Sequence, residues 1–503
     1  MPAHAPRRAA RPRPGRDHPG RPASRSRAAR PRTDPARRTA YDVLRAVADR
    51  DAYANLLLPA LLAERGLTGR DAAFATELTY GTLRGRGTYD AILAACSDRD
   101  EIDPPVRDVL RLGAHQLLAT RVGRHAAVAT SVDLAKDVCG PRPSGFVNAV
   151  LRRVATRDLD DWVQIVAPDR AREPSGYLAV RYSYPRWIVG AFRDALGPDA
   201  AAEIEDALAA GNARPEVVLA LSPAGSSGST APAPLPDGER TRWSPYGFRL
   251  AGGDPAPLVA SGQAAVQDEA SQLAALALTR TGVSGRDELW LDLCAGPGGK
   301  ARLLGGLAAA RGARLVASDL HPHRARRVLD ALRRAGGEDS AGDENYGVVA
   351  ADGRQAPWPP GTFDRVLADV PCSGLGSLRR RPEARWRKTP GDLEELASLQ
   401  RELLGTALDS VRPGGVVAYV TCSPHLAETR DVVTAVAQSR DDVTILDAPA
   451  VRPEVPGLRR AHSRADSGPD SRFAQFWPHR HGTDAIFLAL LRRDGSGAAE
   501  GTG

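Results

Sequence analysis

The stretch Leu291-Asp292-Leu293-Cys294-Ala295-Gly296-Pro297-Gly298-Gly299-Lys300 decides the fold of the C-terminal half of the chain. An apolar run ends in it and a helical pattern follows it, so its glycines lie in a strand-to-helix turn. Glycines allow a tight turn and a close backbone approach, and the helix N-terminus offers unpaired N–H groups to a ligand. Asp319 lies 20 residues after Gly299, at the end of the next apolar run, where a carboxylate can bind a ribose diol. A nucleoside-binding domain is predicted.

Short runs rich in Val and Leu continue on the C-terminal side of this turn and alternate with helical stretches. They span residues 289–293, 314–319, 346–351, 363–370 and 416–421, and a last run spans 485–491. Strands that alternate with helices build a doubly wound parallel sheet. We therefore expect an α/β fold whose C-terminal domain is a seven-stranded Rossmann-like sheet with a late returning strand.

The glycine loop alone leaves the ligand open. Gly296, Gly298 and Ala301 also fit a loose G-x-G-x-x-A pattern, which makes an NAD-dependent dehydrogenase an alternative. Asp352-Gly353 follows the third run, where an adenine ring lies in such folds, and its carboxylate could accept from the exocyclic amine. An Asp-Gly pair is also common in plain turns.

Two cysteines follow neighbouring strands of the predicted sheet. One lies in Asp369-Val370-Pro371-Cys372-Ser373-Gly374 and the other in Thr421-Cys422-Ser423-Pro424. Because the carboxyl ends of parallel strands meet at one edge, both thiols are expected to face one crevice. Thiols at such a ligand-binding edge are better explained by chemistry than by packing alone.

Paired thiols suit methyl transfer to carbon 5 of cytosine. A thiolate that adds to carbon 6 turns the ring into an enamine-like carbanion, which can attack a sulfonium methyl group. Asp369 is placed to support the charge near ring nitrogen 3, and Lys300 to bind the base or lower a thiol pKa. A second thiol can then help to remove the carbon 5 proton.

These motifs resemble the bacterial 16S rRNA (cytosine-5)-methyltransferases of the Sun/RsmB type, within the Nol1/Nop2/Sun group, over residues 36–493. The resemblance implies a methyltransferase fold, S-adenosyl-L-methionine as cofactor, Cys422 as nucleophile and Cys372 as the residue that assists product release. Gly296 and Val370 stand where the family usually has Ala. The cofactor contacts that it implies come from Cys294, Ala295, Gly296, Pro297, Gly298, Gly299, Lys300, Asp319, Asp352 and Asp369.

The region ahead of the catalytic domain reads as amphipathic helices, with Asp103-Pro104 marking one helix start. Ser144 and Phe146 to Arg153, after His125 to Val128, resemble the NusB family of RNA-binding domains; an unrelated helical bundle is the alternative. A noncatalytic NusB-like antitermination factor is accordingly a second hypothesis. The predicted domains are a disordered tail at 1–35, a NusB-like domain at 36–160, a connecting region at 161–260 and a methyltransferase domain at 261–495.

The formal net charge of +7 belongs to the tail, since residues 1–38 hold 12 Arg and two Asp. The five cysteines form no C-x-x-C pair, so neither a zinc site nor a disulfide scaffold is expected. No apolar run approaches the length of a membrane span. We expect a cytoplasmic monomer that binds 16S rRNA, no metal and no membrane.

A basic segment follows Cys372 and carries six positive charges and one negative, with a tryptophan among them. Such a segment is suited to phosphate contacts and base stacking. The alternative is a solvated loop in an Arg-rich protein. The predicted RNA-binding residues are Arg379, Arg380, Arg381, Arg385, Trp386, Arg387 and Lys388.

Overall fold

The computed structural model describes residues 33–223, 235–336, 345–459 and 469–495, so the predicted tail lies almost entirely outside the described residues. Helices lead the described part of the chain. They are α1 Pro35–Arg50, α2 Ala54–Glu64, α3 Gly69–Arg84, α4 Arg86–Cys96, α5 Pro104–Ala119, α6 Arg124–Val138, α7 Ser144–Val154, α8 Leu159–Val166, α9 Pro174–Tyr182, α10 Arg186–Leu196 and α11 Ala200–Ala210.

The first eight helices form a bundle whose boundaries follow local sequence signals. Helix α1 begins after Asp34, whose carboxylate accepts the Arg37 N–H at 2.9 Å, and a proline occupies its first turn. Helix α5 begins at Pro104, as predicted. The all-helical N-terminal region is thereby confirmed. Its buried core includes Val43, Leu78, Ile92, Val109, Leu151 and Trp162.

A small antiparallel sheet separates these helices from the catalytic domain, in a region whose sequence predicted no clear structure. Its strands are β1 Val218–Leu221, β2 Gly238–Arg240, β3 Gly247–Leu250 and β4 Ala264–Val266, in the order β2-β3-β1-β4. Helix α12, Ala256–Ala260, lies between β3 and β4.

The C-terminal sheet has the order β10-β12-β9-β8-β5-β6-β7, and the short β11 pairs with β12. Strands β5 to β9 are parallel, whereas β12 runs antiparallel to β9, β10 and β11. The predicted seven-stranded Rossmann-like architecture is confirmed. The strands are β5 Leu289–Asp292, β6 Arg314–Asp319, β7 Tyr346–Ala350, β8 Phe363–Asp369, β9 Val411–Thr421, β10 Val443–Leu446, β11 Ala474–Gln475 and β12 Phe487–Arg493.

Helices cover both faces of this sheet, as expected for parallel strands. Their apolar sides pack on two buried clusters, one containing Trp290 and Leu315 and the other containing Leu291 and Tyr419. The helices are α13 Glu269–Arg280, α14 Gly299–Ala309, α15 Pro322–Gly336, α16 Gly391–Ser410, α17 Arg430–Gln438 and α18 Pro478–His481. Within the described ranges, no helix is both long and apolar enough to cross a membrane.

Helices α9 to α11 share a core with the catalytic domain. Ile188 and Phe192 pack in one cluster with Leu375 and Leu378, which follow Cys372 in sequence. The segment after the first thiol therefore packs directly against the helical half of the molecule.

Candidate active site

The carboxyl ends of the five parallel strands carry four aspartates and a thiol. Asp292 ends β5, Asp319 ends β6, Asp352 lies two residues after β7, Asp369 ends β8 and Cys422 follows β9. The sequence predicted four of these five at this edge, and the structure places them there. The edge is therefore strongly acidic opposite the thiols.

The glycine loop is bound to Asp319. The carboxylate accepts the Gly296 N–H and the His321 N–H, both at 3.0 Å, and Arg324 donates to the Gly296 carbonyl oxygen at 2.6 Å. A Cβ on Gly296 would lie 2.4 Å from Asp319 Oδ2 and 2.7 Å from Arg324 Nε, so an alanine here would require these two side chains to shift. Each carboxylate oxygen keeps a further lone pair, so Asp319 can still accept from a ribose.

Gly298 has a φ of +111°, which favours glycine at the start of α14. Ala295 is buried, whereas Pro297 is exposed at the tip of the loop. Burial raises the pKa of the Cys294 thiol, the third thiol near the site, and its side chain packs against the core. The predicted cofactor loop thus has both an exposed tip and a buried base.

Asp292 is fully buried below this loop, and neither carboxylate oxygen meets a donor in hydrogen-bonding geometry. Burial and the nearby charge of Asp369 raise its pKa to about 8, and the Cys294 N–H offsets this only in part. The neighbouring Ser318 hydroxyl is also buried without a partner. Orphaned acceptors beside a glycine loop fit a ligand that carries positive charge and N–H donors.

Asp352 lies nearer the surface. Arg354 donates to its carboxylate through its backbone N–H, at 3.0 Å, and through its guanidinium, and the side-chain bonds hold the pKa of Asp352 at about 2. The carboxylate is therefore a charged acceptor at the carboxyl edge of the sheet, after β7.

Lys300 connects the glycine loop to the thiol loops. Its Nζ lies 2.7 Å from Asp369 Oδ2 and 3.4 Å from Ser271 Oγ. Burial acts to lower the Lys300 pKa, but the charge and hydrogen bond of Asp369, together with the charges of Cys422 and Asp292, outweigh it, so that the pKa is raised. Lys300 is therefore a cation at the centre of the site.

The two thiols are in direct contact, because Cys372 Sγ lies 3.2 Å from Cys422 Sγ. The hydrogen bond from Cys372, together with the charges of Lys300 and Arg381, lowers the pKa of Cys422 against the effect of burial. The same hydrogen bond, burial and the charge of Cys422 raise the pKa of Cys372. Cys422 is therefore the thiol that ionises first.

Sequence reasoning missed Asp292 and Glu428. Glu428 lies six residues after Cys422, is fully buried, and accepts hydrogen bonds from the serines that follow both cysteines. Asp292 lies within the quoted glycine-loop stretch, but only the structure shows that its carboxyl group is buried without a donor. No motif marked Glu428, because its importance arises from burial and from partners distant in sequence.

The start of the basic segment is tied to the protein. Arg379 and Arg380 each donate to Asp268 at 2.9 Å, and both also pair with Asp484. Arg379 is buried. For Arg379, the predicted RNA contact is corrected, since its guanidinium is already bound to two carboxylates and the Gly482 carbonyl oxygen.

The same correction holds for Arg385, which is fully buried. Its guanidinium donates to the carbonyl oxygens of Ser183 and Gly211 at 3.1 and 3.0 Å and lies 3.8 Å from the Tyr184 ring centroid. We call this contact between the catalytic loop and the helical half the Arg385 junction. The neighbouring Trp386 faces Gly87 and Arg86 of α4.

Arg387 donates to the carbonyl oxygen of Ala52 at 2.6 Å. Arg381 is exposed and close enough to act on Cys422, and Lys388 is half-buried. For Arg381 and Lys388, the RNA contact stays a prediction.

The two histidines of α18 have protein partners. His479 Nε2 lies 2.7 Å from Glu203 Oε2, and His481 Nε2 lies 3.0 Å from the Pro456 carbonyl oxygen. Among the residues with described coordinates, no group of three or more His, Cys, Asp or Glu side chains could hold a metal ion.

Comparison with known proteins gives two family matches. Residues 283–492 match the model of the 16S rRNA methyltransferase RsmB/F family, and residues 34–156 match the NusB family. A putative methyltransferase of Mycobacterium tuberculosis (strain H37Rv) is 52% identical over 93% of this chain and 99% of its own length.

More distant relatives carry a more specific name. A probable ribosomal RNA small subunit methyltransferase B of Synechocystis is 31% identical over 91% of this chain and 99% of its own length. Among solved structures, the crystal structure of PH0851 aligns with a TM-score of 0.69 and 22% identity, covering 92% of this chain and 99% of that protein. This likeness supports the same fold.

Proposed function

Because the chain belongs to the 16S rRNA methyltransferase RsmB/F family, we propose that it methylates carbon 5 of a cytosine in 16S rRNA through a covalent bond between Cys422 and carbon 6. The observation that carries this proposal is the contact of two thiols, 3.2 Å apart, at the carboxyl edge of the sheet. An NAD-dependent dehydrogenase has no use for such a pair, because hydride transfer needs no nucleophilic thiol.

We infer that S-adenosyl-L-methionine is the methyl donor and that it lies along the loop from Cys294 to Lys300. Asp319 would accept from the ribose, Asp352 from the adenine amine, and the buried Asp292 would face positive charge. The acidic edge favours a sulfonium over a neutral cofactor. When bound, this cofactor supplies an electrophilic methyl group.

The first step belongs to Cys422. Its thiolate adds to carbon 6, and the electron pair of the carbon 5–carbon 6 double bond moves toward carbon 5 and ring nitrogen 3. Lys300, which also holds Asp369, would donate to ring nitrogen 3 as this charge builds there and favours the thiolate, while Asp369 would accept from the neighbouring amino group of the ring. Carbon 5 then takes the methyl group, and the donor's carbon–sulfur bond breaks.

Release belongs to Cys372. Once Cys422 is bonded to carbon 6, it carries no negative charge, so the main cause of the raised Cys372 pKa is gone. Cys372 can then lose its own proton to water and accept the carbon 5 proton. The carbon 6–sulfur bond breaks, and Cys422 leaves as a thiolate.

The rRNA would lie across the thiol edge, with the exposed Arg381 and with Lys388 as phosphate contacts. We propose the division into a NusB-like domain at 36–160, a connecting region at 161–260 and a catalytic domain at 261–495, acting as a cytoplasmic monomer on an unassembled or partly assembled small subunit.

Trapping of the adduct tests the proposal. Cys372→Ala should add to carbon 6 and transfer the methyl group but fail to eliminate, so that an enzyme–RNA complex accumulates with S-adenosyl-L-methionine and survives denaturing electrophoresis. Cys422→Ala and the double variant should give no such complex. A complex with Cys422→Ala instead would reverse the two roles.

Bisulfite sequencing of 16S rRNA from a deletion strain tests the same proposal in the cell, because it measures which cytosines are methylated. We expect one cytosine to lose its protection from conversion and to regain it with the wild-type gene but not with Cys422→Ala. If no 16S rRNA cytosine changes, the substrate assignment is wrong, and the noncatalytic alternative is favoured.

A further inference from the structure

A buried carboxylate lies beneath both thiol loops. Ser373 and Ser423, which follow the two cysteines, are buried, and each donates its hydroxyl to Glu428 Oε2, at 2.5 and 2.7 Å. The Ser373 N–H also donates to Glu428 Oε1 at 2.7 Å. One side chain thus holds the loops of Cys372 and Cys422.

Two further side chains fix Glu428, one at its carboxylate and one at its backbone. Gln400 Nε2 lies 3.2 Å from Glu428 Oε1 and donates to the Pro371 carbonyl oxygen at 2.8 Å, directly before Cys372. The Tyr419 hydroxyl donates to the Glu428 backbone oxygen at 2.8 Å. Four donors therefore converge on the Glu428 carboxylate, an arrangement that matches an ionised group accepting at both oxygens.

We propose that Glu428 is a positioning residue that assigns the roles of the two thiols, by fixing the separation of their loops and by placing a negative charge on the Cys372 side. The proposal rests on the proposed function, since it concerns how the same two thiols divide the reaction. Glu428 contacts neither thiol sulfur, so its effect passes through the serines and through its charge.

The charges around the thiol pair are asymmetric. Lys300 and Arg381 act on Cys422 and lower its pKa, in addition to the hydrogen bond from Cys372. The Cys372 pKa is raised by its hydrogen bond to Cys422, by burial, and by the negative charges of Cys422 and Glu428. Asp369, which faces Cys422, acts in the opposite direction to Lys300 but is paired with it.

Other titratable groups also face this cluster. Tyr419 packs beneath it, and its pKa is raised well above the ordinary value by burial and by the charges of Cys372 and Glu428. His425 lies three residues before Glu428 and is influenced by its charge, and burial lowers the pKa of His425. Both groups are neutral between pH 7 and pH 9. A change in reactivity between pH 7 and pH 9 therefore reports on the ionisation of the thiols.

The test is the pH dependence of iodoacetamide alkylation at Cys372, followed by peptide mapping in Cys422→Ala protein with and without Glu428→Gln. Removal of Cys422 takes away the largest cause of the raised Cys372 pKa, and the effect of the Glu428 charge on Cys372 remains. With Glu428→Gln, the midpoint should fall by about one pH unit, which is about tenfold more thiolate at a pH below both midpoints. An unchanged midpoint overturns the electrostatic part of the proposal.

A second pair of variants separates charge from position. Glu428→Asp keeps the charge and withdraws the carboxylate by one methylene, so it should preserve the alkylation midpoint while lowering kcat at least about tenfold with KM for RNA unchanged. Equal losses in kcat and in cofactor affinity would indicate general damage to the fold and would overturn the positional part.

Glu269→Gln is the matched control. Glu269 is also a buried carboxylate, and it accepts the N–H groups of Trp243 and Ser244 away from the thiols. This variant should leave the midpoint of Cys372 alkylation unchanged, and a shift equal to that of Glu428→Gln would overturn the proposal. Alkylation needs neither RNA nor methyl transfer. A fallen midpoint without cytosine methylation would therefore count against the proposed function alone.

Discussion

Asp292 is an unusual residue because its carboxyl group is fully buried and has no hydrogen-bonding donor on either oxygen. Burial raises its pKa to about 8, against about 4 in an unfolded chain. The contribution of this carboxyl group to the free energy of unfolding is therefore most favourable below pH 4, where it is protonated in both states. That contribution falls as the pH rises toward 8 and is constant above it.

Asp292→Asn should remove this pH dependence. We expect the ligand-free variant to be more stable than wild type, with a difference that grows from pH 5 to pH 8, because the amide is never charged. Urea denaturation at several pH values measures it. The same variant should bind S-adenosyl-L-methionine more weakly, since an amide, unlike the carboxyl group, cannot ionise against the positive charge of the bound cofactor.

Asp364 provides the control, as it is equally buried but fully partnered. Its carboxylate accepts from Arg286, from Arg412 and from the backbone N–H groups of Glu288 and Leu289. Asp364→Asn should be destabilised at every pH, because an amide cannot accept all four bonds. A stabilised Asp364→Asn or a destabilised Asp292→Asn would contradict this account of the two sites.

At the scale of elements, the turn after Cys372 is bound to the strand ends. The Gly376 N–H donates to the Cys422 carbonyl oxygen at 2.8 Å, and the Ala485 N–H donates to the Gly376 carbonyl oxygen at 2.9 Å. A Cβ on Gly376 would lie 1.8 Å from the Ala485 oxygen, which is backbone and cannot move aside. The turn requires glycine for space.

Gly376→Ala should therefore cost about 3 kcal/mol or more of stability and abolish methyl transfer. Gly405, inside α16, has nothing within 4 Å of an added Cβ. Gly405→Ala should stabilise the protein by about 0.5–1 kcal/mol and leave activity unchanged. Thermal unfolding and a methylation assay compare the two, and equal effects would refute the steric explanation.

Strands and helices of the catalytic domain could be predicted because each buries its own apolar pattern. Strand β9 differs from its predicted run, which spans residues 416–421 and leaves out the preceding Pro413, Gly414 and Gly415. It begins at Val411, and an irregularity in its pairing with β8 accommodates these residues. Local turn signals were thus overridden by pairing with a neighbouring strand.

The burial of arginines in the basic segment could not be predicted from sequence, since the charges of this segment resemble those of a solvated loop. The partners that bury Arg379 are Asp268 and Asp484, more than 100 residues away in either direction. Only the fold brings them together. The thiol positions were predictable, in contrast, because strand ends fix which edge a residue occupies.

At the scale of the whole molecule, the Arg385 junction makes the two halves one cooperative unit. Arg385→Met should leave the Ser183 and Gly211 carbonyl oxygens buried without donors, at a cost of about 2 kcal/mol or more. Calorimetry should show the helical half and the catalytic half unfolding at different temperatures. Arg381→Met, in the same segment but exposed, should keep the wild-type transition; separation of the halves in both variants would disprove the role of the junction.

The junction also predicts an order in which the two halves of this protein fold during synthesis. All its acceptors lie between residues 84 and 211, whereas Arg385 is translated at least 174 residues later. During translation the N-terminal helices leave the ribosome first and can fold before the catalytic sheet is complete. We therefore expect the loop that carries Cys372 to reach its final position only when Arg385 docks onto helices that have already folded. We therefore expect methyltransferase activity to appear only at the end of the folding of the nascent chain.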